Sequence, residues 1–278
     1  MFRGFYTVGS GMIAQQRKTE MLANNMANAN TPGFKAEQAT IRSFPEMYMS
    51  SIEKTRIPTQ NGFNLKGLSP VGPISTGVYM QETLPLFTQG QLRESGQTTD
   101  VALIDGRLPI DEASGVQGSI FFRLEHDNGG EHYTRNGNFA LDPNGFLTNP
   151  QGYYVLDTNG QRIALQNDDF QITEEGVIME GGTAVATLGI SFAQRPDTLI
   201  KQGNGTFVTE NGANLPNANG VAGVTYSMQQ GYLEGSNVDS AQAMTDMMTA
   251  YRAFEANQKI LQAYDRSMEK AVTEIGRI

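Results

Sequence analysis

Two apolar stripes at opposite ends of the chain limit what it can fold into. Phe5, Val8, Met12, Gln15, Thr19, Leu22, Met26 and Ala29 are spaced alternately by three and four residues. Met247, Tyr251, Phe254, Gln258, Leu261, Asp265, Met268, Val272 and Ile275 repeat that spacing near the other end. Each stripe reads as a long amphipathic helix without a partner nearby in sequence. Two ends of this kind pair with each other or with neighbouring molecules, although two surface helices on one globular core satisfy the same periodicity. The first helix has to stop at Asn30-Thr31-Pro32-Gly33, because proline cannot continue it and biases the preceding residue toward extended backbone. Gly4, Gly9 and Gly11 each weaken it by about 1 kcal/mol relative to alanine. With polar Gln15, Thr19, Gln258 and Asp265 on the stripes, both helices are marginal alone and gain order when a neighbour covers them. Ser236 or Asn237 is the expected N-cap of the second helix, with Asp239 and Asp246 near its positive end.

Between the ends the period changes. Asp105-Gly106, Gly129-Gly130, Asn136-Gly137, Asn144-Gly145, Asn159-Gly160, Gly181-Gly182 and Asn211-Gly212 supply the positive φ that tight hairpin turns require. Short alternating segments such as Phe121-Phe122-Arg123-Leu124-Glu125 and Tyr153-Tyr154-Val155-Leu156 lie among them, the pattern of many short strands in a twisted β domain. Pro58, Pro70 and Pro73 mark an irregular stretch before it. The expected class is α+β: a discontinuous helical, coiled-coil domain from residues 1–35 and 232–278, an extended excursion over 36–82, and a β-rich domain over 83–231.

Composition removes several function classes. The net charge is −9, from 20 basic and 29 acidic residues, with no basic patch of the sort nucleic acid requires. The charge is uneven: residues 1–36 carry +3, residues 231–278 carry −2, and the middle carries −10. There is no cysteine and there are only two histidines, His126 and His132, which excludes disulfides, thiol catalysis and Cys/His zinc sites. The two histidines flank Asp127-Asn128-Gly129-Gly130 and are expected on hairpin arms at the surface. In their place stand 31 Gly, 20 Asn and 20 Gln, suited to turns and amide-rich packing between protein surfaces. No run of eighteen apolar residues exists, so no membrane insertion is expected. No secretory layout opens the chain, which by those tests alone reads as cytoplasmic.

Individual motifs point away from chemistry. Gly9-Ser10-Gly11-Met12-Ile13-Ala14 fits the dinucleotide fingerprint, but no second parallel strand follows, so its small residues are read as allowing close helix approach. Asp142-Pro143-Asn144-Gly145 and Asp157-Thr158-Asn159-Gly160 resemble pieces of calcium loops without the register or the twelfth-position glutamate, and are read as turns. No catalytic residue, cofactor site, metal site or small-molecule substrate is expected.

The ends and the centre also carry a resemblance. Ser10-Gly11-Met12 followed by Asn24 to Lys35, NNMANANTPGFK, resembles the N-terminal signature of the bacterial flagellar axial proteins of the rod and hook. Its members there are Asn24, Asn25, Ala27, Asn28, Ala29, Thr31, Pro32, Gly33 and Phe34. Gly231, Leu233, Glu234, Ser236, Asn237 and Val238, then Tyr251, Phe254, Asn257 and Leu261, look like the matching C-terminal signature. Tyr133, Thr134, Arg135, Gly137 and Phe139, with Gly145 in Asp142-Pro143-Asn144-Gly145, are similar to the β-domain motif shared by rod and hook proteins. The resemblance implies a structural subunit whose terminal helices pair as a coiled coil lining a helical tube, with the β domain as an outer layer. It implies self-association, other rod and hook proteins as partners, and the flagellar type III export apparatus, with passage out of the cell without a cleaved signal. That replaces the cytoplasmic reading with the basal body. Residues 37–82 resemble the extra stretch of the distal rod protein. Arg107 to Gln117 is an apparent insertion before Gly118-Ser119-Ile120-Phe121-Phe122, which keeps a proximal rod or hook protein of the same family open beside a secreted β-rich adhesin. The amides of Asn24, Asn25, Asn28 and Asn30 are expected to bond across helix interfaces, and Pro32-Gly33-Phe34 to set the exit angle of the first helix.

Overall fold

The first stripe forms one unbroken helix, α1 (Phe2–Ala27), in a computed structural model that describes residues 2–57, 63–126 and 130–275. A ribbon follows: β1 (Glu37–Ser43), β2 (Met47–Ile57), β3 (Phe63–Ile74) and β4 (Val78–Pro85), with β1 on β4 and β2 antiparallel to β3. Pro70 and Pro73 lie within β3, where a two-stranded ribbon leaves one side of each strand unbonded and a missing N–H is tolerated. Pro58 lies outside the described residues. Next come β5 (Leu92–Glu94), β6 (Val101–Asp105), β7 (Ser119–Glu125), β8 (Glu131–Thr134), β9 (Ala140–Leu141), β10 (Leu147–Thr148) and β11 (Tyr154–Val155). The remaining strands are β12 (Phe170–Ile172), β13 (Val177–Glu180), β14 (Thr183–Thr187), β15 (Ile190–Ala193), β16 (Leu199–Lys201), β17 (Phe207–Thr209), β18 (Tyr226–Gln230) and β19 (Tyr232–Glu234). The second helix is α2 (Ser240–Lys270).

The chain divides into two units. One contains Met1–Asn24, Gln38–Leu84 and Ala241–Ile278, and the other Asn25–Glu37 and Pro85–Ser240. In the first unit α1 and α2 run antiparallel where they touch. A Cβ at Gly11 would lie 3.3 Å from Asn257 Nδ2, and one at Gly4 would overlap the Tyr264 hydroxyl. The two contacts are seven residues apart on each helix, in opposite directions. The reading of Gly11 as a close-approach residue therefore holds, and the fingerprint-like segment lies inside a helix with no strand before it. The ribbon is tied to α1 through Ser10, whose hydroxyl accepts from Val78 N at 3.3 Å, and through Thr7, which donates to Thr76 O at 3.1 Å.

The covered face of α2 is displaced from the expected stripe. Met247, Phe254, Leu261 and Met268 are half-buried as expected, but the alternate positions are filled one residue earlier, by Ala250, Asn257, Tyr264 and Ala271. Tyr251 and Val272 are 62% and 75% exposed. Ala243 and Ala250 are buried, whereas Met244 and Met248 are 53% and 48% exposed. Phe5 is likewise 37% exposed, beside the covered Gly4. The helix also starts later than expected. Ser240 is its first residue, so neither Ser236 nor Asn237 caps it; Ser236 Oγ accepts from Val238 N at 3.3 Å within an extended approach.

In the second unit β7 is the central strand. Its two edges take β8 on one side and β15 and then β11 on the other, within the order β16-β17-β8-β7-β11-β10-β9. Both faces of β7 are covered. Ile120, Phe122 and Leu124 join the larger core with Val101, Leu103, Phe170, Ile178, Ile190 and Met228, supplied partly by the β12-β13-β14 sheet and the β6-β18 pair. Phe121 joins a smaller core with Tyr133, Ala193, Leu199 and Phe207. The segment Arg107 to Gln117 is a surface loop closed by Gly118 N on Pro109 O (3.0 Å) and Asp111 N on Val116 O (2.9 Å), so β7 enters the sheet in full register.

Three turns repeat one device. Asp142 Oδ1 accepts from Asn144 N and Phe146 N (2.9 and 2.7 Å), and Asn149 Oδ1 from Gln151 N and Tyr153 N (3.1 and 2.8 Å). Asp157 Oδ1 accepts from Asn159 N and Gln161 N (2.8 and 2.7 Å). Gly145, Gly152 and Gly160 follow at φ 84°, 88° and 79°. Oxygens engaged this way explain why the calcium-like fragments are turns. Gly106 and Gly137 do not have the positive φ expected of turn glycines. They are points of close approach: a Cβ at Gly106 would sit 2.6 Å from Thr225 O, and one at Gly137 would overlap Val101 O. The expected turn over Asp127-Asn128-Gly129 lies outside the described residues.

Gly9 and Gly11 of α1 give opposite expectations. Gly9, with open space around it, should accept alanine with a gain of up to about 1 kcal/mol. Gly11→Leu should cost about 1–3 kcal/mol by displacing Asn257. Thermal melts followed at 222 nm compare them directly, and equal effects would contradict the helix contact.

Candidate functional site

The second unit holds a buried junction built from four separate places in the sequence. After α1 the chain turns at Thr31-Pro32-Gly33, where Gly33 has φ 68° and its N–H donates to Glu234 O at 2.8 Å. A side chain there would run into the Asn136 backbone, so this glycine is needed for conformation and for space. The turn sends Phe34 and Lys35 inward. Strand β19, paired with β5, brings in Glu234, the end of β8 brings in Arg135, and the end of β6 brings in Asp105.

These side chains form one ionic cluster. Lys35 Nζ lies 2.7 Å from Glu234 Oε1, Arg135 Nε 2.8 Å from Glu234 Oε2, and Arg135 Nη1 2.7 Å from Asp105 Oδ1. The side chains of Glu234 and Arg135 have no exposed surface and that of Lys35 is 1% exposed. Backbone adds to the cluster: Lys35 Nζ donates to Thr88 O (2.8 Å), Gly90 N to Glu234 Oε1 (2.9 Å) and Arg135 Nη1 to Ile120 O (3.0 Å), while Arg135 Nη2 is buried with no hydrogen-bond partner. Two positive and two negative groups balance. Burial pushes the Glu234 carboxyl up, but the charges and hydrogen bonds of Arg135 and Lys35 outweigh it and hold the carboxyl below its ordinary range. Burial, with the like charge of Arg135, pulls the Lys35 ammonium down despite Glu234. Burial also works against the Arg135 guanidinium, which Glu234 and Asp105 hold above its ordinary value.

A second layer of amide and ionic contacts surrounds the cluster. Asn237 Oδ1 accepts from Ala36 N at 2.7 Å, and its Nδ2 donates to Leu86 O (2.8 Å) and Thr88 O (3.1 Å). This engagement is why Asn237 does not cap α2. Asn25, 4% exposed, bonds both backbone groups of Glu37, donating to O at 2.8 Å and accepting from N at 2.9 Å. Its amide thus fastens the helix end within the chain instead of reaching across a helix interface. The Glu37 carboxylate meets Lys201 Nζ at 2.6 Å, and Lys201 also stands 4.1 Å over the Phe34 ring. A polar cleft of about 440 Å³ opens beside the junction between Asn30, Gly90, Arg93, Ser236 and Asp239.

The motif residues distribute as follows. Gly33, Phe34, Arg135, Glu234 and Asn237 meet in the junction. Gly231 supplies the bend before β19 (φ 78°), with its N–H on Asp100 O at 2.8 Å, and Leu233 pairs across to Arg93. Thr31 Oγ1 donates to Asn28 Oδ1 at 3.2 Å, while Asn24 and Ala27 are exposed and Ala29, Pro32 and Val238 half-buried. Tyr133 lies in the smaller core, its hydroxyl donating to Glu131 Oε2 (3.0 Å) and accepting from Leu215 N (2.8 Å). Thr134 is buried, Phe139 packs edge-on to Phe122 at 5.0 Å, and Gly145 stands in a turn elsewhere. Tyr251, Phe254, Asn257 and Leu261 belong to α2 in the other unit. Sequence reasoning passed over Lys35 and Asp105, the one quoted only as the last residue of the N-terminal motif and the other read as a turn residue. A lysine directly after an apolar motif residue, kept amid so few charges, was the available signal. Among the described residues no group of three or more potential metal ligands occurs.

Loss of the Glu234 charge should be the most damaging single change. Glu234→Gln leaves two buried cations facing each other and should cost about 3–5 kcal/mol. Because the folded pKa of Glu234 lies below its ordinary 4.5, its contribution is complete above that pH and is lost as pH falls through the lower folded value. Stability profiles from pH 7 downward should therefore fall more steeply below 4.5 in the parent than in Glu234→Gln. Parallel profiles would contradict the assignment.

Three family models match the chain: a flagella basal body rod protein model over residues 5–35, a flagellar hook protein FlgE/F/G D1 domain over 115–180, and a flagellar basal body rod FlgEFG protein C-terminal model over 229–274. Each matched segment contributes one charged residue to the junction: Lys35, Arg135 and Glu234 respectively. The flagellar hook-basal body complex protein FlhO of Bacillus subtilis is 43% identical, over 100% of both chains. The flagellar basal-body rod protein FlgG of the same organism is 31% identical over 98% of both, and FlgF of Caulobacter vibrioides 29% identical over 100% of both. The chain belongs to the flagellar basal-body rod and hook–basal-body protein family.

Proposed function

We propose that this structural component of the basal-body rod assembles through its two terminal helices, which pair as a coiled coil on the inside of a helical tube that passes motor torque outward. Several observations support that reading. The α1–α2 contacts recur at a heptad step, at Gly4–Tyr264 and Gly11–Asn257. The same helices keep large apolar side chains outside: Tyr6 and Ile13 on α1, Met244, Met248, Tyr251 and Val272 on α2, each between 48% and 75% exposed. Exposed apolar residues of this number on helices that already have one covered face are suited to contact with further copies. An interface that does not close on itself yields an open helical filament.

The single observation that carries the proposal is this second, outward apolar face. The β-rich unit supplies the outer layer, and within it the junction ties residues 34–36 to residues 234–237. The partners are further copies and other rod and hook proteins, and the subunit is delivered by the flagellar type III export apparatus without a cleaved signal. No catalysis is assigned to it. The ribbon β1–β4 supports a place in the distal part of the rod.

Residues 240–278 should be dispensable for the β unit and required for assembly. A chain ending at 239 should keep the near-ultraviolet signature of the β core yet fail to enter rods, and incorporation of that chain would contradict the proposal. The triple change Met248→Ser, Tyr251→Ser and Val272→Ser should abolish concentration-dependent association while shifting stability by less than about 1 kcal/mol. Unchanged association, measured by analytical ultracentrifugation, would count against the outward face. Basal bodies from a deletion strain should lack the distal part of the rod.

A further inference from the structure

Asn-Gly pairs occur among the described residues at Asn136, Asn144, Asn159, Asn204, Asn211 and Asn219. In such a pair the glycine nitrogen can close a five-membered ring on the asparagine side-chain carbonyl, because glycine has no side chain to hinder it. The fold restrains these pairs unequally. Gly145 N donates to Asp142 O (3.0 Å), Gly160 N to Asp157 O (3.1 Å), Gly212 N to Thr209 O (3.2 Å) and Gly220 N to Asn217 O (3.0 Å). Amides are held as well: Asn144 Nδ2 on Asp142 Oδ2 and Asn159 Nδ2 on Asp157 Oδ2 at 3.3 Å, and Asn219 Oδ1 by the Tyr226 hydroxyl at 2.6 Å. Asn136 Oδ1 accepts from Asn138 N at 3.0 Å, and Gly137 is packed against Val101 O.

Asn204 differs. It lies exposed between β16 and β17 with glycine on both sides, at φ 68° and ψ 19°, alone among the described non-glycine residues in having positive φ. Among the described residues, neither its side chain nor the Gly205 N–H has a partner at hydrogen-bonding geometry. A Cβ at Gly203 or Gly205 would meet nothing within 4 Å, so the segment has room to rotate into the ring-closing conformation. We propose that Asn204 is a self-modifying site, at which the Gly205 nitrogen displaces the side-chain amide as ammonia. The bond from Gly205 N to Asn204 Cγ forms, the Cγ–Nδ2 bond breaks, and the proton of Gly205 N leaves with the ammonia. Water then opens the succinimide at either carbonyl, giving aspartate or isoaspartate. Both products add one negative charge. Isoaspartate also lengthens the main chain by one atom beside Gly205 O, which accepts from Thr134 Oγ1 at 3.3 Å.

Peptide mapping by mass spectrometry of the full chain, aged at pH 7.4 in water enriched in oxygen-18, tests the site. Asn144, Asn159 and Asn219 each have to give up two hydrogen bonds before the ring can close, so Asn204 should convert about tenfold faster or more. Its product should contain isoaspartate, and Asn211, held only through Gly212 N, should fall between. In urea sufficient to unfold the chain the differences should disappear. Conversion at Asn204 no faster than at Asn144, Asn159 and Asn219 would overturn the proposal. So would a product free of isoaspartate, or the same ranking in the unfolded chain.

Discussion

The Glu234 carboxylate has no exposed surface, yet Lys35, Arg135 and the Gly90 amide all converge on it. An isolated buried charge costs several kcal/mol, so Glu234 is stable inside only if its cationic partners arrive with it, and they are stable only if it does. Lys35, Arg135 and Glu234 come from one end, the middle and the other end of the chain. The cluster therefore enforces one arrangement: the end of α1, the end of β8 and the approach to α2 are placed together or the charges are left unpaired. A hydrophobic contact would tolerate sliding, whereas bonds of 2.7–2.9 Å to both oxygens of one carboxylate do not. The surrounding amides serve the same end, with Asn25 and Asn237 bonding backbone that no strand partner satisfies.

Within the helical unit a different constraint operates. Glycines of α1 meet α2 closely, Gly4 at Tyr264 and Gly11 at Asn257, Ala243 and Ala250 of α2 are buried, and several larger apolar residues such as Tyr251 and Val272 stay exposed. A helix with a small-residue face and a separate bulky face can hold a close internal neighbour and still offer a second surface. That division suits a subunit whose ends are completed by other subunits. The β unit needs no such completion, since β7 is covered on both faces within the chain.

Much of this was open to sequence reading, and the failures are instructive. The helical ends, the strand-rich middle and the turns at Gly145 and Gly160 follow from period and from turn chemistry, both local properties. The α2 register did not follow, because counting apolar residues favours Tyr251 and Val272 while the covered positions are Ala250 and Ala271. Gly106 and Gly137 looked like turn glycines because Asx-Gly pairs commonly are. Their use is close backbone approach, which depends on strands far away in sequence. The three motifs could be read as linear signatures, but their convergence could not. Whether Lys35 and Asp105 are solvated or buried is decided by where Glu234 and Arg135 arrive, and spacing along the chain does not contain that distance.

In this junction, charges from distant segments act as one unit. A double-mutant cycle between Lys35→Met and Glu234→Leu, read by denaturant unfolding, measures it directly. Each single change should be strongly destabilising and the pair together should cost much less than their sum, with a coupling of about 2 kcal/mol or more. Additivity within about 0.5 kcal/mol would show that the two charges do not depend on each other, and would contradict it.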